Sequence, residues 1–324
     1  MQWDTRRQIG NEAAVRDSST SQLVRGACPV LEVPFTASGE VDLSCFERLA
    51  DHVLATGVTA VMFPGFASEV LKLTDAERSE LTHALLRHTD GRDVAAIVSI
   101  PDHSTEVAVR RASDAAAAGA DVVNILPPHQ LSPAPTAVRC HLEAVLAAVA
   151  PTPVMVQFAP AQTGSALTAE DLAGMRQRHL NLKFVKVESA PPGAMITALR
   201  SLAPDVGALV GYAGLQLMDA WRRGAVGVQP GCSFIELYVR VWDLLEAGEE
   251  AAADHLHRRM LPYLSYWMQG VEIIIAAEKL ISARRGLVDD PYCRSPRHIL
   301  DTTEVAMVDR FLDEFADLLP DVQT

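Results

Sequence analysis

Short apolar runs alternate with amphipathic helical patterns eight times along the chain, from about residue 28 onward. Each run has the length and the β-branched content of a strand that is buried on both faces, which is typical of parallel sheets. Eight strand–helix units in succession close into a barrel with its helices outside, so we expect an α/β fold, the (β/α)8 TIM barrel. The predicted strands are 29–35, 60–64, 94–100, 121–126, 153–158, 183–188, 207–211 and 225–230.

The segments between these strands carry the signals that begin and end helices. Thr74 and Glu77 have the spacing of a capping box, and Gly57 ends an earlier amphipathic pattern. A doubly wound open sheet is the alternative for such an alternation, but it would need a glycine-rich phosphate-binding turn after the first strand. The sequence has no such turn there, so the barrel is preferred.

More helical sequence follows the eighth strand than a minimal barrel needs. The first of these segments closes the barrel, and the others predict a C-terminal helical extension. We therefore expect three parts, a polar N-terminal arm at 1–27, the barrel at 28–247 and the extension at 248–324.

The composition argues against several classes of function. Hydrophobic residues make up 49% and charged residues 21% of the chain, which indicates a large buried core rather than disorder. The net charge of −13 argues against nucleic-acid partners and anionic membrane surfaces, because both require basic patches. No apolar run approaches the roughly 20 residues that span a bilayer. The expected partner is a small molecule.

The cysteines and the N-terminal segment bear on the cellular compartment. The five cysteines are scattered and include no Cys-x-x-Cys pair, so reduced thiols fit better than a disulfide framework or a zinc knuckle. The first 27 residues lack the apolar core of a signal peptide. Both observations favour a cytoplasmic protein.

Lysine is rare in this chain, with four lysines against twenty-four arginines, yet Lys186 lies in the apolar sixth strand "KFVKVE". Unlike arginine, a desolvated lysine can lose its proton and become a nucleophilic amine. Such an amine attacks a ketone and forms an imine, which serves as an electron sink. The alternative is that Lys186 forms a structural ion pair with a buried carboxylate.

Glu188 is the nearest such carboxylate along the chain. Side chains alternate across a strand, so Lys186 and Glu188 share one face and Lys183 points the other way. The reactive groups of (β/α)8 barrels lie at the carboxyl ends of the strands, where this pair falls. Glu188 is then either an acid–base group or only the ion-pair partner of Lys186, and the sequence leaves both open.

Six segments give the chain a resemblance to a known family. Over roughly residues 29 to 318 it resembles the dihydrodipicolinate synthase and N-acetylneuraminate lyase family of class I aldolases. The resemblance implies that Lys186 forms a Schiff base with a 2-oxo acid, usually pyruvate. It also implies self-association, as a dimer or a tetramer, and we expect no cofactor. The segments, in the family's own order and spacing, are "VPFTASGEVD", "PGFASEVLKLTDAER", "AGADVVNILPP", "APAQTG", "VKVES" and "RSPRHIL".

The loop after the second strand departs from the family pattern. The family's motif is close to Gly-Thr-Thr-Gly-Glu, and its hydroxyls and amides hold the carboxylate of the keto acid. Both threonine hydroxyls are missing here, because the segment reads Gly65, Phe66, Ala67, Ser68, Glu69. The resemblance therefore leaves the backbone amides and the Ser68 hydroxyl to hold a carboxylate.

The resemblance also predicts that the family's proton-shuttling tyrosine is missing. Its position matches Gln157, whose amide does not titrate, and the arginine of the synthases on the following loop matches Gln162. The tyrosine that the family takes from a neighbouring subunit falls near His129. The remaining acid–base candidates are Glu188, His129 and Tyr212.

Two glycines and the histidines complete the list of candidates. Gly211 and Gly231 would let the backbone approach a ligand closely, or would merely form turns. The histidines form no His-Glu-x-x-His cluster, and we expect no metal at the site.

We therefore predict a Schiff-base-forming lyase or aldolase that makes or breaks a carbon–carbon bond in a small 2-oxo acid or a related carbonyl compound. The departures argue against dihydrodipicolinate synthesis itself. A Schiff-base dehydratase or hydratase shares the lysine and remains open. So does a barrel that has lost catalysis and binds a metabolite.

Overall fold

A computed structural model describes residues 23–128, 130–164, 167–319 and 322. Eight strands in these residues form one parallel sheet, in which β1 pairs with β8 and each later strand pairs with the next. The strands are β1 Gly26–Ala27, β2 Ala60–Phe63, β3 Ala95–Ile100, β4 Val122–Ile125, β5 Val154–Phe158, β6 Leu182–Val187, β7 Gly207–Val210 and β8 Gly227–Val228.

Val30 closes the ring between the first and second strands. It forms parallel bridges with Met62 on one side and with Gly231 on the other. The amide of Met62 also donates to the carbonyl of Pro29 at 2.8 Å. The predicted (β/α)8 barrel is confirmed.

The first strand begins earlier than predicted. The sequence placed it at 29–35, whereas the ladder with β8 involves Gly26 and Ala27. Prolines explain the difference, because Pro29 and Pro34 have no N–H to donate to a ladder. The chain from 28 to 35 therefore continues with isolated bridges only, one of them an antiparallel bridge from Phe35. Residues 1–22 of the predicted polar arm lie outside the described residues.

Twelve α-helices lie in the described residues, and the predicted alternation with strands is present. The capping box at the start of α2 is formed, since Thr74 Oγ1 accepts from the Glu77 amide while Glu77 Oε2 accepts from the Thr74 amide. The helices are α1 Leu43–Ala55, α2 Asp75–Thr89, α3 Thr105–Ala117, α4 Pro135–Val149, α5 Pro160–Thr163, α6 Ala169–Arg178, α7 Gly193–Leu202, α8 Leu217–Arg222, α9 Ile235–Glu246, α10 Glu250–Trp267, α11 Val271–Arg284 and α12 Thr302–Glu314.

The hydrophobic core has two layers, as a barrel requires. A small cluster fills the inside of the ring, and a larger one packs the helices against the outside of the sheet. None of the helices in the described ranges combines the length and the hydrophobicity of a membrane span. The inner cluster includes Met62, Ile97, Val122, Met155, Phe184 and Leu209.

The C-terminal helices do more than extend the barrel. Phe311 on α12 packs edge-on against Phe234, with the ring centroids 5.0 Å apart, and also against Trp267 at the end of α10. Helix α11 contacts both α12 and the one-turn 3-10 helix Phe66–Ser68 after β2. Helix α11 therefore lies at the carboxyl end of the barrel.

Candidate active site

A small cavity opens at the carboxyl end of the barrel and has a volume of about 80 Å³. Its walls come from the ends of β6 and β8, from the turns after β2 and β7, and from α11. A space of this size fits a small organic molecule. Both Lys186 and Glu188 line it.

Lys186 is 5% exposed, and its Nζ lies 3.2 Å from Oε1 of Glu188. Among the described residues this carboxylate is the only hydrogen-bond or ion-pair partner of the lysine. The ammonium group therefore keeps donor capacity on the side that faces the cavity.

A chain of polar side chains crosses the inside of the barrel and ends at Glu188. Asn124 Nδ2 donates to Ser99 Oγ at 2.8 Å and to Gln157 Oε1 at 3.2 Å. Gln157 Nε2 in turn donates to Glu188 Oε2 at 2.6 Å. Strand register brings the members together, because Gln157 pairs with Lys186 across β5 and β6. Because Gln157 Oε1 accepts from Asn124, Gln157 Nε2 is the end of the amide that faces the Glu188 carboxylate.

The two glycines singled out in the sequence each make room for a carboxylate of the protein itself. A Cβ on Gly211 would lie 2.3 Å from Cγ of Glu188. A Cβ on Gly231 would lie 1.7 Å from Oε2 of Glu278. Neither Gly211 nor Gly231 has room for a Cβ atom. Both positions therefore need glycine if Glu188 and Glu278 are to keep their places at the cavity.

Tyr212 lines the cavity in a strained conformation. Its φ of 50° is left-handed, and so is the φ of 49° at Ala213. Its hydroxyl donates to Gln162 Oε1 at 3.0 Å. Burial, reinforced by the charge of Glu188, raises the pKa of Tyr212. The phenol therefore stays protonated at neutral pH.

The turn after β2 contributes Phe66 and Ala67 to the cavity wall. Ser68 is fully buried, and its hydroxyl donates to the Leu31 carbonyl while accepting from the Gly65 amide at 2.9 Å. Its hydrogen-bonding capacity is therefore used within the loop. The predicted candidate His129 lies outside the described residues.

Sequence reasoning missed three polar residues of the cavity, namely Glu32, Gln229 and Glu278, which we call the acidic wall. Burial raises the pKa of Glu32, and burial together with the charge of Glu32 raises the pKa of Glu278 to about 8. A signal was available, because Glu32 interrupts the apolar "VLEVPF" and Glu278 interrupts "IIIAAEKLIS". Acids in such positions are either paired or functional.

One group of three potential metal ligands occurs in the described ranges, formed by Asp42, Cys45 and Asp289. All three lie at the start of α1, and none of them lines the cavity. Asp42 already caps α1 through the Cys45 amide, and Asp289 already binds Arg48. Other interactions therefore occupy this group, and it has no connection to Lys186.

Comparisons with known proteins place these features in context. The sequence profile of the Dihydrodipicolinate synthetase family matches residues 23–314. An L-2-keto-3-deoxyarabonate dehydratase of Azospirillum brasilense is 30% identical over 251 residues, which cover 76% of this chain and 80% of that protein. The probable 2-dehydro-3-deoxy-D-pentonate aldolase of Escherichia coli K12 is 24% identical over 285 residues, covering 87% of this chain and 93% of that one.

Solved structures give the same result for the fold. The crystal structure of dihydrodipicolinate synthase from Rhodopseudomonas palustris matches with a TM-score of 0.82 and 25% identity. The match covers 89% of this chain and 97% of that chain.

Proposed function

The chain belongs to the dihydrodipicolinate synthetase family, whose curated members include both aldolases and dehydratases, and we propose that Lys186 forms an imine with a small 2-oxo acid. The observation that carries the proposal is the environment of Lys186. Its amine is buried at the carboxyl end of the barrel, faces a cavity and has one carboxylate partner among the described residues. An amine that faces a cavity and has a carboxylate beside it to receive its proton is placed to attack a carbonyl carbon.

Imine formation needs only the groups at hand. Glu188 accepts one proton from the ammonium of Lys186, and the neutral amine attacks the C2 carbonyl. Loss of one water then leaves a protonated imine, with Glu188 again a carboxylate. The turn at Phe66 and Ala67 lies on the cavity wall, and its backbone amides are our candidates for holding the substrate's own carboxylate.

The position of Glu188 favours elimination of water as the next step. Its carboxylate lies 3.2 Å from the nitrogen of Lys186. Once the imine has formed at C2, the carbon C3 is closer to the nitrogen of Lys186 than the hydroxyl on C4 is. Glu188 therefore takes the proton from C3 to give an enamine, and it returns this proton to the hydroxyl that leaves C4. Water departs, and hydrolysis of the conjugated imine releases a 2-oxo-3-enoic acid and frees Lys186.

Gln157 has a positioning role in this scheme. Its amide cannot carry a proton between substrate atoms, but it donates at 2.6 Å to the carboxylate that does. Asn124 holds the Gln157 amide in that orientation. The missing family tyrosine is thus replaced by a carboxylate acting as both base and acid.

Borohydride trapping tests the proposal directly. The protein is incubated with L-2-keto-3-deoxyarabonate or with pyruvate, reduced, and mapped by peptide mass. We expect a label on Lys186 with both compounds. A label on Lys72, Lys183 or Lys279, or no label with any 2-oxo acid, contradicts the proposal.

The carbon–carbon lyase predicted from the sequence is the second candidate. Such a reaction begins by removing the proton of the C4 hydroxyl, and the Tyr212 phenol is a second proton-carrying group on the same cavity. Product analysis separates the two reactions. Elimination keeps all five carbons of the deoxyarabonate in one product, whereas carbon–carbon cleavage releases pyruvate and an aldehyde. Reversible binding without any trapped label would instead favour the barrel that only binds a metabolite.

We also propose that the protein self-associates, as the family resemblance predicts. Leu131 is 94% exposed and follows His129 by two positions in the sequence, and the resemblance places the family's inter-subunit tyrosine near His129. Burial of this leucine in a subunit contact would be favourable. Sedimentation should show a dimer or a tetramer that Leu131→Asp weakens. A monomeric wild-type protein contradicts this.

A further inference from the structure

The acidic wall lies on the β1 and β8 side of the cavity, whereas Lys186 lies on β6. Its three side chains are almost completely buried, at 2% exposure for Glu32, 2% for Gln229 and 4% for Glu278. The Glu278 carboxylate comes from α11, a helix outside the eight-unit barrel, and fits against Gly231. The proposed imine chemistry uses none of these three residues.

The acidic wall carries hydrogen-bonding capacity that the protein does not use. Both carboxylate oxygens of Glu32 and both polar atoms of the Gln229 amide have no hydrogen-bond partner among the described residues. A buried polar group without a partner destabilises the folded state. The four atoms belong to side chains that line the cavity, so a bound molecule is the group that can satisfy them.

The charge of the acidic wall restricts what that molecule can be. Among the described residues, the buried cation whose charge acts on Glu32 is Lys279, which already pairs with Glu69 at 3.3 Å and donates to the Val33 and Tyr292 carbonyls. It therefore has no donor left for Glu32. A second negative group entering the cavity would meet the charge of Glu32, the same charge that raises the pKa of Glu278, and like charges in a dry site repel strongly.

We propose that Glu32, Gln229 and Glu278 are specificity-determining residues, which receive the hydroxylated tail of the substrate and exclude a tail that ends in a carboxylate. This inference rests on the proposed function, since it assumes that C2 of the acid is held at Lys186. Hydroxyl groups suit the acidic wall because each can donate to a carboxylate and accept from the Gln229 amide. The cavity is small, so a tail of a few atoms reaches from Lys186 to the acidic wall.

Two five-carbon acids that differ only at their ends test this selection. L-2-keto-3-deoxyarabonate ends in a hydroxymethyl group, and 4-hydroxy-2-oxoglutarate ends in a carboxylate. Calorimetry should show that the wild-type protein binds the first at least about tenfold more tightly. Glu32→Gln, which removes the carboxylate charge at constant shape, should narrow that preference about tenfold, mainly by improving binding of the dicarboxylate.

Three controls separate selection from folding. Pyruvate has no tail, so its affinity should be the same in the wild-type protein and in Glu32→Gln. Glu170→Gln makes the same charge change on the exposed face of α6 and should leave the preference unchanged. Gln229→Met removes the amide without altering charge, and it should weaken binding of the deoxyarabonate several-fold while leaving pyruvate unaffected.

The possible results distinguish this inference from the proposed function. Equal affinity of the wild-type protein for the two five-carbon acids overturns the inference. So does an unchanged preference in Glu32→Gln when pyruvate still binds normally. If the protein discriminates between the two five-carbon acids but Lys186 takes no borohydride label, the inferred role of the acidic wall stands and the proposed imine is refuted.

Discussion

Lys186 and Lys279 are both almost completely buried, yet their surroundings give them opposite properties. Lys279 is 1% exposed, donates to the carbonyls of Val33 and Tyr292, and pairs with Glu69. Three acceptors match the three N–H donors of an ammonium group. Every donor of Lys279 is therefore engaged within the fold.

Lys186 is 5% exposed and has one partner among the described residues, the Glu188 carboxylate at 3.2 Å. That partner is a carboxylate, and the remaining donors face a cavity rather than carbonyl groups. The comparison teaches that burial alone does not distinguish a structural lysine from a candidate nucleophile. The number of acceptors around the amine decides whether it is free to meet a ligand.

The largest effect should come from Lys186→Met. It removes the amine, so we expect turnover to fall by at least about 10³-fold and borohydride labelling to disappear. Lys183→Met, three residues earlier on the same strand, is the matched control and should keep both. Circular dichroism should show that both variants are folded. Retained labelling in Lys186→Met would place the nucleophile elsewhere and break the comparison.

Glu188→Gln should have the next largest effect. The amide keeps the shape of the side chain but cannot exchange a proton, so turnover should fall by about 10²–10⁴-fold. Imine formation should survive in part, because the amine is still present. Single-turnover labelling and steady-state rates measure the two effects separately. Near-normal turnover would remove Glu188 from the mechanism and direct attention to Tyr212 and His129.

The sequence predicted most of the barrel because the signals for parallel strands are local. Strands β2 to β8 lie within a few residues of the apolar runs that predicted them. The first strand was misplaced because the run at 29–35 contains two prolines, and a run of apolar residues does not show which amides can pair. The pairing of Gly26 with Gly227 depends on residues about two hundred positions away.

The candidate site also has one part that local sequence signals predict and another part that they do not. Lys186 and Glu188 could be predicted because both lie on one strand, and strand alternation fixes their common face. Glu278 could not, because it reaches the cavity from α11, and only the packing of α11 against the turn at Phe66–Ser68 brings it there. Long-range packing of this kind leaves no periodic signal in the sequence.

Lys279→Met tests the structural role of the second buried lysine in the comparison. It leaves Glu69 with an unpaired buried oxygen and two carbonyls without a donor, so the free energy of unfolding should fall by about 3–5 kcal/mol. Denaturant titration measures this change. Turnover per folded molecule should be close to normal, since Lys279 lies away from the substrate. A stable Lys279→Met protein with lost turnover would reverse the assignment of the two lysines.

The same contrast between paired and unpaired groups exists among the buried acids. Burial opposes ionisation of Glu236, but hydrogen bonds from His52 and Arg285 outweigh it and lower the pKa to about 2. Glu278 has no such cation, and its pKa rises to about 8. Ionised Glu236 therefore contributes stability that is lost as the pH falls from 4.5 towards 2. For Glu278 the sign is opposite, because the native state keeps a proton that the unfolded chain releases above 4.5.

The last effect that we predict is the resulting pH dependence of stability. Between pH 4.5 and about 8, Glu278 should reduce the free energy of unfolding by up to about 1.4 kcal/mol per pH unit, with no further change above that range. Glu278→Gln cannot release a proton, so its stability should fall less steeply over the same interval. Denaturant titrations across the interval compare the two slopes, with Glu170→Gln as the exposed control. Identical slopes for the wild-type protein and Glu278→Gln would mean that Glu278 is ionised in the folded protein and has an unrecognised cationic partner.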